Sequence, residues 1–209
     1  MIISHKLKFI FVHIHKCAGT SVTKVLNRAK VLGPDDIVVG CTRDGEDIER
    51  AGGWKGLDKH APAAEIKEVV GEDIWNSYFT FTIVRNPWDR AVSTYHWWLK
   101  TSYNGKDGKG DIIRAMDSFD EFVMSKYMYH DNCTDWIDTD IDYIGRFENA
   151  KRSFAYACGR IGLPDLRLTK NNKTTHKHYS DYYSGDSEDR VERIFSKDIE
   201  KFGYSFKAE

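Results

Sequence analysis

The stretch that most constrains this chain is Phe9-Ile10-Phe11-Val12-His13-Ile14-His15-Lys16-Cys17-Ala18-Gly19-Thr20-Ser21. Phe9, Ile10, Phe11, Val12 and Ile14 form a β-branched and aromatic run of the kind buried as a strand. The apolar run stops at Lys16, small residues and Gly19, and Thr20 or Ser21 can then cap a helix whose apolar positions are Val22, Val25, Leu26 and Ala29. A strand, a short turn and a helix N-terminus make an anion cradle. Backbone N–H groups and the positive helix end face the ligand, Lys16 adds a mobile charge, and Thr20 and Ser21 add hydroxyl donors. The spacing is not that of the nucleoside-triphosphate loop G-x-x-x-x-G-K-[ST], in which Lys directly precedes Ser or Thr. Here Lys16 stands four residues before Thr20, and Gly19 is the only glycine. The plain alternative is a strand–helix turn with a solvated lysine.

A chain of 209 residues is long enough for one α/β domain with a good core and too short for two comfortable ones, so residues 1–209 are read as one domain. Lys and Arg number 31 against 32 Asp and Glu, a net charge of −1, so no global field recruits nucleic acid or an anionic membrane. Any anion site must be a local cluster. The first residues lack a signal-peptide pattern, and the apolar run at residues 9–14 is too short to span a bilayer, so a cytoplasmic location is expected. Cys17, Cys41, Cys133 and Cys158 are scattered without a C-x-x-C pair, which argues against zinc ribbons and redox pairs. Free thiols are the default, with a Cys41–Cys133 bridge as the open alternative.

Residues 30–59 read as a loop-rich connection with one apolar run, Ile37-Val38-Val39. From Pro62 the pattern turns helical, with Ala63, Ile66, Val69 and Val70 on one face and Gly71 as the stop. His60 lies just before this helix. Residues 78–84 form a second strand that ends in Arg85-Asn86-Pro87-Trp88-Asp89-Arg90-Ala91-Val92-Ser93, where Pro87 suits the first turn of a helix. Arg85 at that strand's end suits a terminal phosphate, because its planar fork donates bidentately; the plain alternative is a surface pair with Asp89. Residues 101–117 read as a Gly- and Lys-rich loop, and Ser118 and Glu121 as the capping box of the next helix. Residues 136–147 read as two short strands around an Asp-Thr-Asp turn, followed by a helix over 149–161. Residues 170–179 are basic and polar without periodicity, and residues 187–206 contain an amphipathic helix.

Two of these segments together resemble sulfotransferases that use 3′-phosphoadenosine 5′-phosphosulfate (PAPS). Lys16 to Ser21 resembles the 5′-phosphosulfate loop, which in the carbohydrate-type branch reads His-Ile-Pro-Lys-x-x-x-Thr-Ser; here His15 replaces the Pro. Arg85-x-Pro87-x-x-Arg90-x-x-Ser93 resembles the family's 3′-phosphate segment, and Gly145-Arg146-Phe147-Glu148-Asn149 its Gly-Arg-Phe/Tyr-Glu-Asn segment. The 170–179 stretch resembles the late loop that folds over the nucleotide. The resemblance implies an α/β, P-loop-like three-layer sandwich with a mainly parallel central sheet flanked by helices.

It also implies in-line transfer of a sulfuryl group from PAPS, leaving 3′-phosphoadenosine 5′-phosphate (PAP), to a hydroxyl or amine of a carbohydrate or small-metabolite acceptor, without a metal. Lys16, Cys17, Ala18, Gly19, Thr20 and Ser21 would hold the 5′ end, and Arg85 and Ser93 the 3′-phosphate, with Arg146 and Lys177 as further nucleotide contacts. Arg146 can equally form a structural ion pair with Glu148, and the basic late loop can equally be solvated. Lys59-His60-x-x-Ala63 resembles the family's Lys-His-x-x-Ala, whose His is the proposed base, so His60 is the candidate general base, with His15 and His96 as the other choices. His13 is expected to point into the fold. Tyr95, Trp97, Trp98 and Tyr103 read either as core or as a stacking face for a sugar. Two other classes stay open: a P-loop-like nucleotide kinase or hydrolase, and a PAP-binding module without turnover. The first lacks a strand-end carboxylate for Mg²⁺, since Arg85 stands where Asp would be expected.

Overall fold

The computed structural model describes residues 1–41, 47–49, 54–104, 108–168 and 177–207. In chain order its elements are β1 (Ile2–Ser4), β2 (Phe9–Phe11), α1 (Gly19–Arg28), β3 (Ile37–Cys41), β4 (Asp47–Glu49), α2 (Ala63–Val70), α3 (Glu72–Ser77), β5 (Phe79–Val84) and α4 (Pro87–Lys100). Then come α5 (Lys109–Arg114), α6 (Phe119–Met124), β6 (Tyr143–Arg146), α7 (Ala150–Arg160), α8 (Gly185–Ile194) and α9 (Ser196–Phe202). The chain forms two compact units, Met1–Val84 with Asp135–Asn172, and Arg85–Thr134 with Lys173–Glu209.

The first unit holds the sheet, in the order β4-β3-β1-β2-β5-β6. The expected parallel arrangement occupies the half that carries the strand-to-helix junctions: β2 pairs with β5, and β5 with β6, in parallel. The other half is antiparallel, so the sheet is mixed. The reason lies in the connections. The four residues between β1 and β2 permit only a hairpin, whereas parallel neighbours need a long crossover.

Alternation along the strands sends Phe9, Phe11, Phe81 and Ile83 to one face, where they are buried with Val22, Val25 and Leu26 of α1 and Phe154, Ala157 and Cys158 of α7. The Phe11 and Phe81 rings lie 4.9 Å apart. Ile10, Val12, Thr80, Thr82 and Val84 take the opposite face and are buried as well. Val12 extends the parallel pairing beyond β2 by donating to Phe81 O at 3.0 Å, and Thr82 Oγ1 donates to Val12 O at 2.8 Å.

Residues 136–142 are not the expected strand pair. Trp136 O accepts from Ala63 N, and the side-chain carboxylates of Asp138 and Asp142 accept from Ala64 N and Thr80 N, so this stretch caps α2 and holds β5 instead of pairing with itself. Only Tyr143–Arg146 remains as a strand.

Asp36, 3% exposed, closes the hairpin end of this unit by accepting from Ser4 Oγ at 2.7 Å, Gly33 N at 2.8 Å and Lys6 N at 3.1 Å. Burial alone would raise its pKa, but the hydrogen bonds from Ser4, Gly33 and Lys6 outweigh that and hold it below the usual carboxylate value. A depressed folded pKa contributes stability above the unfolded value of about 3.9, and that contribution is lost as pH falls through the folded value. Asp36→Asn should therefore destabilise the protein by about 1.5–3 kcal/mol at neutral pH. Denaturant titrations of the two proteins should converge as pH falls from about 3.9 through the lower folded value. An equal gap at both ends of that range would refute the assignment.

In the second unit, Asn86 caps α4 by accepting from Trp88 N at 3.0 Å and Asp89 N at 3.4 Å, with Pro87 at the first helical position as expected. Tyr183 Oη donates to Trp88 O at 2.8 Å and Asn86 Nδ2 to Ser205 O at 3.2 Å, so the start of α4 is tied to the last part of the chain. Residues 101–117, expected as a loop, contain α5, anchored by Arg114, which donates to Trp98 O, Thr101 O and Asn104 Oδ1. Ser118 caps α6 by accepting from Glu121 N, but the Glu121 carboxylate bonds Asp117 N, one residue short of a reciprocal box. The single amphipathic helix expected over 187–206 is two helices, α8 and α9, that meet at buried Phe195. Asp198, fully buried on α9, accepts from Cys133 N at 2.6 Å and Thr134 N at 2.9 Å.

Cys17, Cys133 and Cys158 are buried free thiols, so Cys133 makes no bridge. Burial pushes the Cys158 thiol up to about 12, which makes it inert at neutral pH.

Candidate active site

The first strand-to-helix junction turns through Lys16 and Ala18, both in the left-handed region at φ 63° and 68°. Left-handed residues in such turns direct successive N–H groups to one side and form an anion-holding nest. The helix cap is Ala18 and not Thr20 or Ser21, and it has no side-chain cap bond. The hydroxyls of Thr20 and Ser21 are therefore not consumed in capping.

The expected row of amides from residue 17 to residue 21 is shorter than its sequence. Cys17 N donates to Ile14 O at 3.4 Å and Ser21 N to Ala18 O at 2.8 Å. Among the described residues, the backbone amides of Ala18, Gly19 and Thr20 donate to no backbone acceptor, which leaves three amides of the five at the start of α1.

Gly19 has a packing reason that the motif does not reveal. A Cβ built on it would lie 1.8 Å from His13 Cδ2 and 2.0 Å from Nε2. His13, 3% exposed, does point into the fold as expected, and its ring seats the first residue of α1. Burial first, and then the nearby Met1 amino group and the basic side chains around it, hold its pKa well below the ordinary histidine value, which favours the neutral ring. Its Nδ1 is buried without a partner among the described residues.

His60 hangs from the same segment. Its Nδ1 bonds His13 O at 2.7 Å. A carbonyl oxygen only accepts, so Nδ1 carries a proton, and in the neutral ring the lone pair is on Nε2. His60 N donates to Asp58 Oδ1 at 2.5 Å, and Trp136 Nε1 donates to His60 O at 2.6 Å. The His15 ring stacks on His60 with centroids 3.5 Å apart and planes 23° apart, and the His13 ring meets it at 4.6 Å in an edge contact. The sequence pattern places His60 near the site, but these contacts join residues 13, 15, 60 and 136, and no local pattern encodes them. Trp136 is the residue the sequence reading missed.

In the second unit, Arg85 is 6% exposed and its Nε donates to Asp89 Oδ2 at 2.8 Å. The pair proposed as a surface alternative is present, yet buried, with side-chain exposures of 7% and 17%. Ser93 is buried on α4. Arg90 in the same motif packs inward, where its Nη1 donates to Asp131 O at 2.6 Å. His96 Nε2 bonds Tyr182 Oη at 2.8 Å. Tyr95 and Trp98 are core, whereas Trp97 and Tyr103 are exposed.

Arg146 is exposed at the end of β6, in register with Val84. Lys177 is exposed, and residues 169–176 lie outside the described residues. Among the described residues, no group of three His, Cys, Asp or Glu is placed to hold a metal, and no helix is long and apolar enough to cross a membrane.

A mixed sheet whose parallel strands β2 and β5 run into helices gives the chain a P-loop-like α/β fold. The Sulfotransferase family matches over residues 1–205, and the chain belongs to that family. The fold is also that of mouse sulfotransferase SULT7A1, solved in complex with PAP, at a TM-score of 0.54 and 12% identity over 94% of this chain and 85% of that one. An uncharacterised protein of Archaeoglobus fulgidus is 29% identical over 125 residues, 56% of this chain and 96% of that protein.

Proposed function

We propose that the protein transfers a sulfuryl group from PAPS to a hydroxyl or amine of a carbohydrate or small-metabolite acceptor. The observation that carries the reading is that one segment builds both the anion cradle and the support of a base. The His13 ring seats Gly19 of the cradle, and the His13 carbonyl holds Nδ1 of His60. The three unengaged amides of Ala18, Gly19 and Thr20, with Lys16 beside them, fit a phosphosulfate group. Family membership, together with the PAP bound by the mouse neighbour, supports PAPS as the donor.

PAPS supplies the sulfuryl group and departs as PAP. His60 Nε2 takes the acceptor's proton as its oxygen or nitrogen bonds sulfur. Lys16, the three amides and the hydroxyls of Thr20 and Ser21 receive the negative charge that the departing phosphate oxygen gains as its bond to sulfur breaks. Arg85 and Ser93 hold the 3′-phosphate, a role that rests on the family motif. Arg146 and Lys177 are assigned to the nucleotide on the same ground. The chemistry asks for no metal, because the sulfuryl group carries less charge than a phosphoryl group. Buried free thiols suit a reducing, cytoplasmic setting.

Calorimetry tests the donor. PAP should bind at one site per chain and about tenfold or more tighter than ATP, a difference of about 1.4 kcal/mol. Equal affinities would remove the PAPS reading and favour a nucleotide hydrolase.

A further inference from the structure

We infer that His15 is a positioning residue for His60: its ring forms the wall that keeps the His60 imidazole in one orientation, with Nδ1 on the His13 carbonyl and Nε2 toward the reacting group. The catalytic part of this inference rests on the reading of His60 as the base. His15 occupies the position where the resembling loop carries Pro, a residue that offers no flat ring to stack on His60.

A single hydrogen bond leaves an imidazole able to swing about its side-chain torsions, whose terminal well is broad. The bond from Nδ1 to His13 O, 2.7 Å long, selects the tautomer but does not by itself fix the plane. His15 supplies the plane, stacked at 3.5 Å and 23° on the His60 ring. Its own orientation is set by an edge contact with Trp136, centroids 5.4 Å apart and planes at 73°. Trp136 also holds the His60 backbone, through Nε1 to His60 O at 2.6 Å. On the other side, the His13 ring presents an edge to His60 at 4.6 Å and is itself wedged against Gly19. The His60 ring is thus confined by a hydrogen bond, a face and an edge. An aromatic pair of this kind adds an orientation preference beyond its buried area, which favours one ring orientation over another.

The test compares His15→Phe, which keeps a flat ring, with His15→Pro and His15→Ala, which remove it; the Ala variant covers the case in which Pro disturbs the loop. Turnover with PAPS and a working acceptor, PAP affinity by calorimetry, and the imidazole ¹⁵N resonances of ¹⁵N-histidine protein are measured on each. The His60 signals are assigned by their absence in His60→Ala. Turnover should fall roughly tenfold to a hundredfold in the Pro and Ala variants, the scale of a small misplacement of a catalytic group, and recover in Phe. PAP affinity should stay within about twofold throughout, because the loss lies in the transition state. The His60 ring should show the Nδ1–H tautomer in wild type and Phe, and averaged tautomers in Pro and Ala. Unchanged turnover and an unchanged His60 tautomer in both Pro and Ala would overturn the inference. A fully active His60→Ala protein would sink the base reading by itself, and the ring resonances would still show whether His15 holds His60.

Discussion

His60→Ala lowers turnover by about 10²–10⁴-fold, the usual contribution of a general base, while PAP affinity stays close to that of the wild-type protein. The expectation follows from the tautomer. With Nδ1 donating to the His13 carbonyl, the basic atom of neutral His60 is Nε2, and proton transfer from an acceptor needs that lone pair. On the proposed function the nucleotide is held by Lys16 to Ser21 and not by the imidazole, so removing the imidazole should affect rate and not PAP binding. His60→Asn keeps a polar group but cannot take the proton, and it should be nearly as poor. The acid limb of the rate profile, which reports neutral imidazole, should vanish in both variants. Retention of more than about a tenth of the activity by His60→Ala falls below the range for a base and would move the assignment to His15 or His96.

Gly19→Ala abolishes PAP binding at concentrations that saturate the wild type, and it destabilises the protein by about 1–3 kcal/mol or more, as overpacking of a tight site does. The new methyl would overlap the His13 ring at 1.8 Å. That ring has little room to retreat, since it is 3% exposed and lies between Phe11, stacked at 5.8 Å, and His60. Relief must therefore come from the start of α1, which carries the cradle amides. The reciprocal change is the check. In a His13→Ala background, Gly19→Ala should cost far less, giving a coupling energy of about 1 kcal/mol or more in a double-mutant cycle read by thermal or denaturant unfolding. Additive losses would show that Gly19 is required for some other reason.

The resemblance that directs both experiments is carried by two short motifs, and their local structure was legible for local reasons. A β-branched run that ends at Lys16 and Gly19 makes a strand and a turn, and Asn86-Pro87 starts a helix wherever it follows a strand. The helix faces of Val22, Val25 and Leu26, and of Phe154, Ala157 and Cys158, were legible too, because their spacing follows the helical period. The start of α1 was misplaced because Ala18 takes a left-handed conformation, which no side-chain preference announces. The β1 strand and the hairpin it makes with β2 escaped because three apolar residues are too short a run to read. The strand pair expected over 136–147 failed because Trp136 O and the carboxylates of Asp138 and Asp142 tie this stretch to α2 and β5, partners more than 60 residues away.

The sequence by itself determined that this is an α/β chain with a strand-to-helix turn at residues 16–21 and an arginine at the end of a second strand, because those signals are local: periodicity, turn chemistry and the spacing of Lys16, Gly19 and Thr20. Only the tertiary structure decided which amides remain to hold an anion, that Gly19 is required by the His13 ring, and that Arg85 is buried on Asp89. The tautomer and orientation of His60 belong to the same group, since they are set by the carbonyl of His13, the ring of His15 and the indole of Trp136. Those residues lie 47, 45 and 76 positions away along the chain, a separation bridged by the packing of the fold and by no pattern in the sequence.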